Sequence, residues 1–388
     1  MLDPLAWIDD ELDSYAKQGL ARKLVPFDRG PVKANPSCLD FSSNDYLGLA
    51  AHPRLIAAAC RATEEYGWGA GASPLVSGWT TAHADLAVRL AQFEHAEAVA
   101  LFPTGFAANL STVSALVGSG DAVYLDRLCH ASLVDGAKLS GASLRVFPHN
   151  DTDRLRSTLE RDRGRFRRTL IVTEGVFSMD GDLAPLAEIV EVAEAFGAML
   201  LVDEAHGTGV FGSDGRGACS EFNVCDRVQI RVGTLSKALG SVGGFVAGSS
   251  RLIDWVVQRA RALIYSTSLP PAAAAAAAEA LDILESEPER RVHLHAISQH
   301  LRTGLSSAGW NVVPSMGPIV PILLGDSHFT IALAERLRTD GFRVAAIRPP
   351  TVPKGSARLR ISLTANHTYS GLEKLIAALG KPPALPAA

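Results

Sequence analysis

The chain has 388 residues, 47% of them hydrophobic and 20% charged, so a sizeable core and about two to three domains of ordinary size are expected. Against 41 Asp+Glu stand 37 Lys+Arg, a formal charge of −4 with no basic stripe, which argues against nucleic acid as a partner. The five cysteines, Cys38, Cys60, Cys129, Cys219 and Cys225, are an odd number with no CxxC pair; that argues against a disulfide framework and a zinc site and points to a reducing cytoplasm.

The N-terminal stretch MLDPLAWIDDELDSYAKQ carries acids where a secretion signal would carry bases, and reads as an amphipathic helix. Residues 1–40 are therefore expected to form an N-terminal helical arm. From about residue 40 to 250 short apolar runs alternate with helical stretches. The runs are AVALF (98–102), AVYL (122–125), SLRVF (143–147), TLIVTE (169–174), AMLLVDEA (198–205), VQIRVGT (228–234) and GGFVAG (243–248). Helical patterns lie between them, such as PLAEIVEVAEAFG (185–197) with Gly197 at the C-terminal cap. Strand and helix alternating in this way predict an α/β fold, a mostly parallel sheet covered by helices on both faces, over residues 41–278.

Ala272–Ala278, after Pro270-Pro271, is too short to span a bilayer and reads as a helix start, so no membrane association is expected. A long helix should continue to about residue 306. Short strands around Ile319–Leu324, Arg343–Ile347 and Ala357–Leu363, a last helix at roughly 369–379 and a PPALPAA tail follow. This predicts a smaller α+β C-terminal domain over residues 279–388.

In a parallel sheet, ligands bind beyond the carboxyl ends of the strands. The residues just after each apolar run are Thr104-Gly105-Phe106, Asp126 with His130, Glu174 with Ser178, Asp203 with His206, and Thr234 with Lys237. Asp203-Glu204-Ala205-His206 also spells the metal-binding box of some helicases, but that chemistry needs a GxxxxGK[ST] loop and the chain has none. Only 8 of the 37 cations are lysine, and between Lys138 and Lys354 the sole lysine is Lys237. Arginine cannot lose its proton or form a Schiff base, whereas lysine can. An amine at one strand end and a carboxylate at another suggest pyridoxal 5'-phosphate, which needs both, together with an anion site for its phosphate. The helix start at Gly105-Phe106 offers backbone N–H groups for that site, Thr234 a hydroxyl, and His130 an aromatic plane.

Several strings carry a family resemblance: Ser43-Asn44-Asp45-Tyr46-Leu47-Gly48, Asp126-Arg127-Leu128-Cys129-His130-Ala131-Ser132, Thr173-Glu174-Gly175-Val176-Phe177-Ser178-Met179-Asp180-Gly181-Asp182, Asp203 through Gly209, and Thr234-Leu235-Ser236-Lys237. In this order, along nearly the whole chain, they resemble the α-oxoamine synthases. These are fold-type I pyridoxal-phosphate transferases that condense a small amino acid with an acyl thioester and release carbon dioxide. The segment Ile347-Arg348-Pro349-Pro350-Thr351-Val352-Pro353, with Ala357-Arg358-Leu359-Arg360, is similar to members that join L-alanine to a pimeloyl thioester, carried on coenzyme A or on a carrier protein, in biotin biosynthesis. A sister member using glycine and acetyl-CoA is the nearest alternative.

The resemblance implies a role for each position. Lys237, His130 and Asp203 would be catalytic: the lysine binding the cofactor and moving the α-proton, the aspartate pairing with the ring nitrogen, the histidine stacking on the ring and meeting the substrate. Gly105, Phe106, Ser178, His206 and Thr234 would complete the cofactor site. Ser266 and Thr267 would reach the phosphate held by a neighbouring subunit, implying a homodimer with shared active sites. Asn44 and Arg360 would hold the substrate carboxylate, and Arg22 and Thr351 would also bind substrate.

Overall fold

A computed structural model of the chain describes residues 3–26 and 38–382; all of the PPALPAA tail but Pro382 lies outside the described residues. The chain divides into two compact units, one of residues 44–295 with 364–366, the other of residues 1–43, 296–363 and 367–388.

The larger unit is built on a seven-stranded sheet. Its strands are β2 (Ala98–Phe102), β3 (Ala122–Asp126), β4 (Ser143–Phe147), β5 (Thr169–Glu174), β6 (Met199–Asp203), β7 (Ile230–Thr234) and β8 (Gly244–Gly248); β1 belongs to the other unit. The order is β2-β8-β7-β6-β5-β3-β4. All neighbours are parallel except β8, which runs antiparallel to both β2 and β7. The reason is local. The seven apolar runs expected as strands all form them, but between β7 and β8 the chain has no helix to serve as a crossover, only a short loop through Lys237, so it turns back on itself. Central strands buried on both faces, such as Leu170, Ile171 and Val172 of β5 and Leu200, Leu201 and Val202 of β6, account for the continuous apolar runs. Helix Gly105–Leu116 packs on β2, β7 and β8 through Ala108, Val113 and Leu116.

The smaller unit carries a four-stranded sheet of order β1-β10-β11-β9, with β1 (Leu39–Phe41), β9 (Ile319–Gly325), β10 (Phe342–Ile347) and β11 (Ala357–Ser362). Strand β1 pairs parallel with β10, and the remaining pairs are antiparallel. The Phe41 ring stacks on His367 with centroids 4.2 Å apart, and burial lowers the His367 pKa to about 4.

Two details differ from the sequence expectation. The expected single helix to residue 306 is two helices, Pro271–Ser286 and Glu289–Ser307, interrupted at Glu287-Pro288, where proline cannot continue the hydrogen-bond ladder. The boundary falls at 295/296 rather than 278/279, since Pro271–Ser286 lies against the helices Pro53–Tyr66 and Thr81–Glu94. No helix among the described residues is long and apolar enough to cross a membrane.

Candidate active site

The carboxyl ends of β2, β3, β5, β6 and β7 share one edge of the larger sheet, and there a cavity of about 260 Å³ opens. Its lining includes Gly105, Phe106, His130, Asp203, His206, Thr234 and Lys237 from the sequence reading. Thr104 caps helix Gly105–Leu116, its hydroxyl accepting from Ala107 N at 3.0 Å. The first turn of that helix thereby turns N–H groups and the positive end of the helix dipole toward the site. Glycine at 105 allows the approach: a Cβ there would stand 3.1 Å from the Thr234 side chain, and one on Gly244 would stand 2.6 Å from Gly105 Cα. Thr234 Oγ1 donates to Gly243 O at 2.9 Å and lies 2.8 Å from Ser236 Oγ, which pins the turn leading to Lys237.

Lys237 Nζ is 2.9 Å from His206 Nε2, and His206 Nδ1 is 2.6 Å from the Tyr46 hydroxyl. One imidazole thus bridges the amine and a buried phenol. Asp203 ends β6 almost fully buried. Its Oδ1 accepts from Ala205 N at 2.8 Å and its Oδ2 from Asn109 Nδ2 at 2.5 Å. His130 both caps helix Ala131–Ser140 and lines the cavity. Its N–H donates to Glu174 Oε1 at 2.6 Å, its Nδ1 lies 2.7 Å from Ser132 Oγ, and Phe106 meets its ring edge-on at 6.1 Å. Burial, opposed by the Asp203 charge and reinforced by Lys237, lowers the His130 pKa, favouring a neutral ring. Glu174 stands opposite Asp203 across β5 and β6, and burial followed by the neighbouring Asp203 charge pushes its pKa well up.

Beneath the turn after β6, Glu204 is enclosed. It accepts from Ala218 N at 2.9 Å and Cys219 N at 2.7 Å, and a Cβ on Gly175, Gly207 or Gly217 would come within 2.6, 2.0 or 2.5 Å of its Oε2. This carboxylate is a strut for the turn bearing Asp203 and His206, its pKa raised by burial.

Other expected residues stand apart from the cavity lining. Ser178 is buried in the turn after β5, its backbone bonded to Glu174. Ser266 and Thr267, half-buried and exposed, follow the short helix Arg261–Tyr265. Asn44 accepts from the Tyr46 hydroxyl at 3.3 Å. Arg22, Thr351 and Arg360 belong to the smaller unit, where Arg360 is buried on β11 with its Nη1 2.6 Å from Ser362 Oγ. The sequence reading gave no role to Asn109, Tyr46 or Ser132, although Tyr46 and Ser132 fall inside the quoted strings.

The donor set fits pyridoxal phosphate. A buried carboxylate held by two neutral donors, with no ion pair among the described residues, is complementary to a protonated ring nitrogen. An amine, a neutral imidazole and a helix start line the same cavity.

Comparison with known proteins agrees. The pattern of the aminotransferase class I and II family matches residues 36–379. The chain belongs to that family. It is 46% identical over 391 residues, 98% of each chain, to an 8-amino-7-oxononanoate synthase of Anaeromyxobacter sp. (strain K). Among solved structures, a serine palmitoyltransferase variant from S. paucimobilis with a bound PLP–myriocin aldimine superposes with a TM-score of 0.89 at 31% identity, covering 97% of this chain and 98% of the other. The 8-amino-7-oxononanoate synthase of Francisella tularensis gives 0.77 at 31% identity, covering 89% and 97%. The chain is thus a fold-type I enzyme of the acyl-transferring kind whose cofactor is pyridoxal 5'-phosphate.

Proposed function

We propose that this enzyme makes 8-amino-7-oxononanoate for biotin biosynthesis, by decarboxylative condensation of L-alanine with pimeloyl-CoA or a pimeloyl carrier protein. What carries the reading is the 46% identity along essentially the whole of both chains to an enzyme of that name. In the reaction alanine Cα gives up its proton and bonds to the acyl carbonyl carbon as the carbon–sulfur bond breaks and the thiol leaves; carbon dioxide then departs from Cα and a proton takes its place.

When bound, pyridoxal phosphate supplies an aldehyde for an amine and an electron sink for charge left on the α-carbon. The chain's own residues do the rest. Gly105, Phe106 and Thr234 hold the phosphate, with Ser266 and Thr267 reaching the site of a second subunit in a homodimer. Ser178 and His206 hydrogen-bond the cofactor, His130 lies against its ring, and Asp203 pairs with its nitrogen. Lys237 Nζ anchors the cofactor and moves the α-proton, oriented by His206 Nε2 at 2.9 Å. Asn44 and Arg360 bind the alanine carboxylate, the arginine through its planar fork, while Arg22 serves the acyl donor and Thr351 also binds substrate. Five free cysteines accord with a cytoplasmic enzyme.

The test is product mass. Holoenzyme with L-alanine and pimeloyl-CoA is expected to yield 8-amino-7-oxononanoate. Product only from glycine with acetyl-CoA, or from L-serine with palmitoyl-CoA, would refute the assignment. The serine arm is included because the serine palmitoyltransferase superposes more closely than the Francisella enzyme, 0.89 against 0.77.

A further inference from the structure

Helix Gly105–Leu116 serves the cavity twice. Its first turn contributes Gly105 and Phe106, and one turn further on it delivers Asn109, which is 3% exposed. Asn109 Nδ2 donates to Asp203 Oδ2 at 2.5 Å and to Ser132 Oγ at 3.0 Å. Ser132 Oγ in turn lies 2.7 Å from His130 Nδ1. One amide nitrogen therefore spends both protons at the site, one on the carboxylate and one on a chain that ends at the imidazole. The amide oxygen is buried without a partner, a cost to folding that an apolar side chain would avoid; Ala108, Val113 and Leu116 of the same helix are apolar and buried.

We infer that Asn109 is a positioning residue that holds Asp203 as an aligned anion for the cofactor's ring nitrogen and fixes that carboxylate relative to the His130 ring. The inference rests on the cofactor assignment above. Asp203 is buried, faces Glu174 across the sheet and has no ion pair among the described residues, so its carboxylate is held by the hydrogen bonds it accepts. The Ala205 N–H supplies one and Asn109 the other. A carboxamide does not titrate, so this donor persists at every working pH. The helix also acts as a ruler. Four residues at about 1.5 Å each separate the first turn, which would hold the phosphate, from the amide that meets Asp203, roughly 6 Å of rise, so one rigid element would serve both ends of the cofactor.

The test is a titration of cofactor-free protein with pyridoxal 5'-phosphate, followed by its absorption, for wild type, Asn109→Ala, Asn109→Asp, Asp203→Ala and the Asn109→Ala/Asp203→Ala pair. Asn109→Ala is expected to weaken binding about tenfold or more, as for loss of a hydrogen bond to a charged group. In the Asp203→Ala background the same change should cost less than about twofold, because its partner is gone. Asn109→Asp keeps the size and sets a second carboxylate against Asp203, so its loss of affinity should grow as the pH rises; this profile decides the matter should Asn109→Ala fail to fold. Equal weakening by Asn109→Ala in both backgrounds, or a pH-independent Asn109→Asp, would reduce Asn109 to packing and overturn the inference. Unchanged affinity in Asp203→Ala would instead overturn the counter-ion role of Asp203 itself.

Discussion

Glu94 closes the helix before β2 and meets Arg231 of β7, the strand that leads to Thr234 and Lys237. The two are 1% and 5% exposed, with Arg231 Nε 3.2 Å from Glu94 Oε2. Burial, only partly countered by Arg231, pushes the Glu94 carboxyl up to about 7 from 4.5. At about 1.4 kcal/mol per tenfold change, that displacement corresponds to about 3 kcal/mol. The folded value lies above the unfolded one, so this stability is fully present below about 4.5 and is lost as pH rises through about 7. Glu94→Gln imitates the protonated acid, since the amide oxygen can still accept from Arg231. The variant should match wild type near pH 5 and exceed it near pH 8.5 by about 3 kcal/mol. For a unit of this size, at about 2–4 °C per kcal/mol, Tm would rise by roughly 6–12 °C. Scanning calorimetry of the cofactor-free protein at the two pH values measures this. If the Tm difference were the same at both, or if wild type gained on the variant as pH rose, the ionised pair would be net stabilising and the desolvation argument would fail.

Lys237→Ala should abolish turnover, and borohydride treatment of wild-type holoenzyme should leave the cofactor attached to the peptide containing Lys237; label on another residue would reject the assignment. His149 Nδ1 lies 3.0 Å from Asp126 and its Nε2 2.8 Å from Asp182, and although burial opposes its charge these carboxylates raise its pKa to about 10. His149→Leu should therefore destabilise by about 2 kcal/mol, an effect complete below about pH 6.5 and vanishing toward pH 10, as read by urea unfolding across that range. Gly244→Ala forces a Cβ to within 2.6 Å of Gly105 Cα, so it should cost about 1–3 kcal/mol and weaken pyridoxal phosphate binding through the displaced helix start; cofactor titration of the variant checks this.

The seven strands of the larger sheet were legible because strands covered on both faces must be apolar throughout, and turn signals flank each run. Lys237 was legible through scarcity, Asp203 through its place at a strand end. Asn109 was not. In the string Ala107-Ala108-Asn109-Leu110-Ser111-Thr112 it is one of three polar residues on a helix of small side chains, and its partner Asp203 is 94 residues away. Strand β1, three residues long, gains its identity only from β10, some 300 residues later. Pro288 did mark a helix break, but continued apolar periodicity on both sides concealed it. The unit boundary depended on which helices Pro271–Ser286 covers, a long-range packing fact that local pattern does not carry.

Glu204 and its three glycines fill a single volume, and this constrains how the enzyme can change over generations. A methyl group on Gly175, Gly207 or Gly217 has no room while the glutamate is present, and a shorter residue at 204 leaves Ala218 N and Cys219 N without their acceptor. Each single step is therefore a loss, and shortening residue 204 does not by itself free the glycines: a Cβ on Gly175 would still stand 2.9 Å from Ala218 Cβ, one on Gly207 would stand 3.1 Å from Ala218 N, and Gly217 holds φ +112°. In a mutational library these four positions should look intolerant both singly and in pairs, so a design effort would hold them fixed and vary the residues that line the cavity instead.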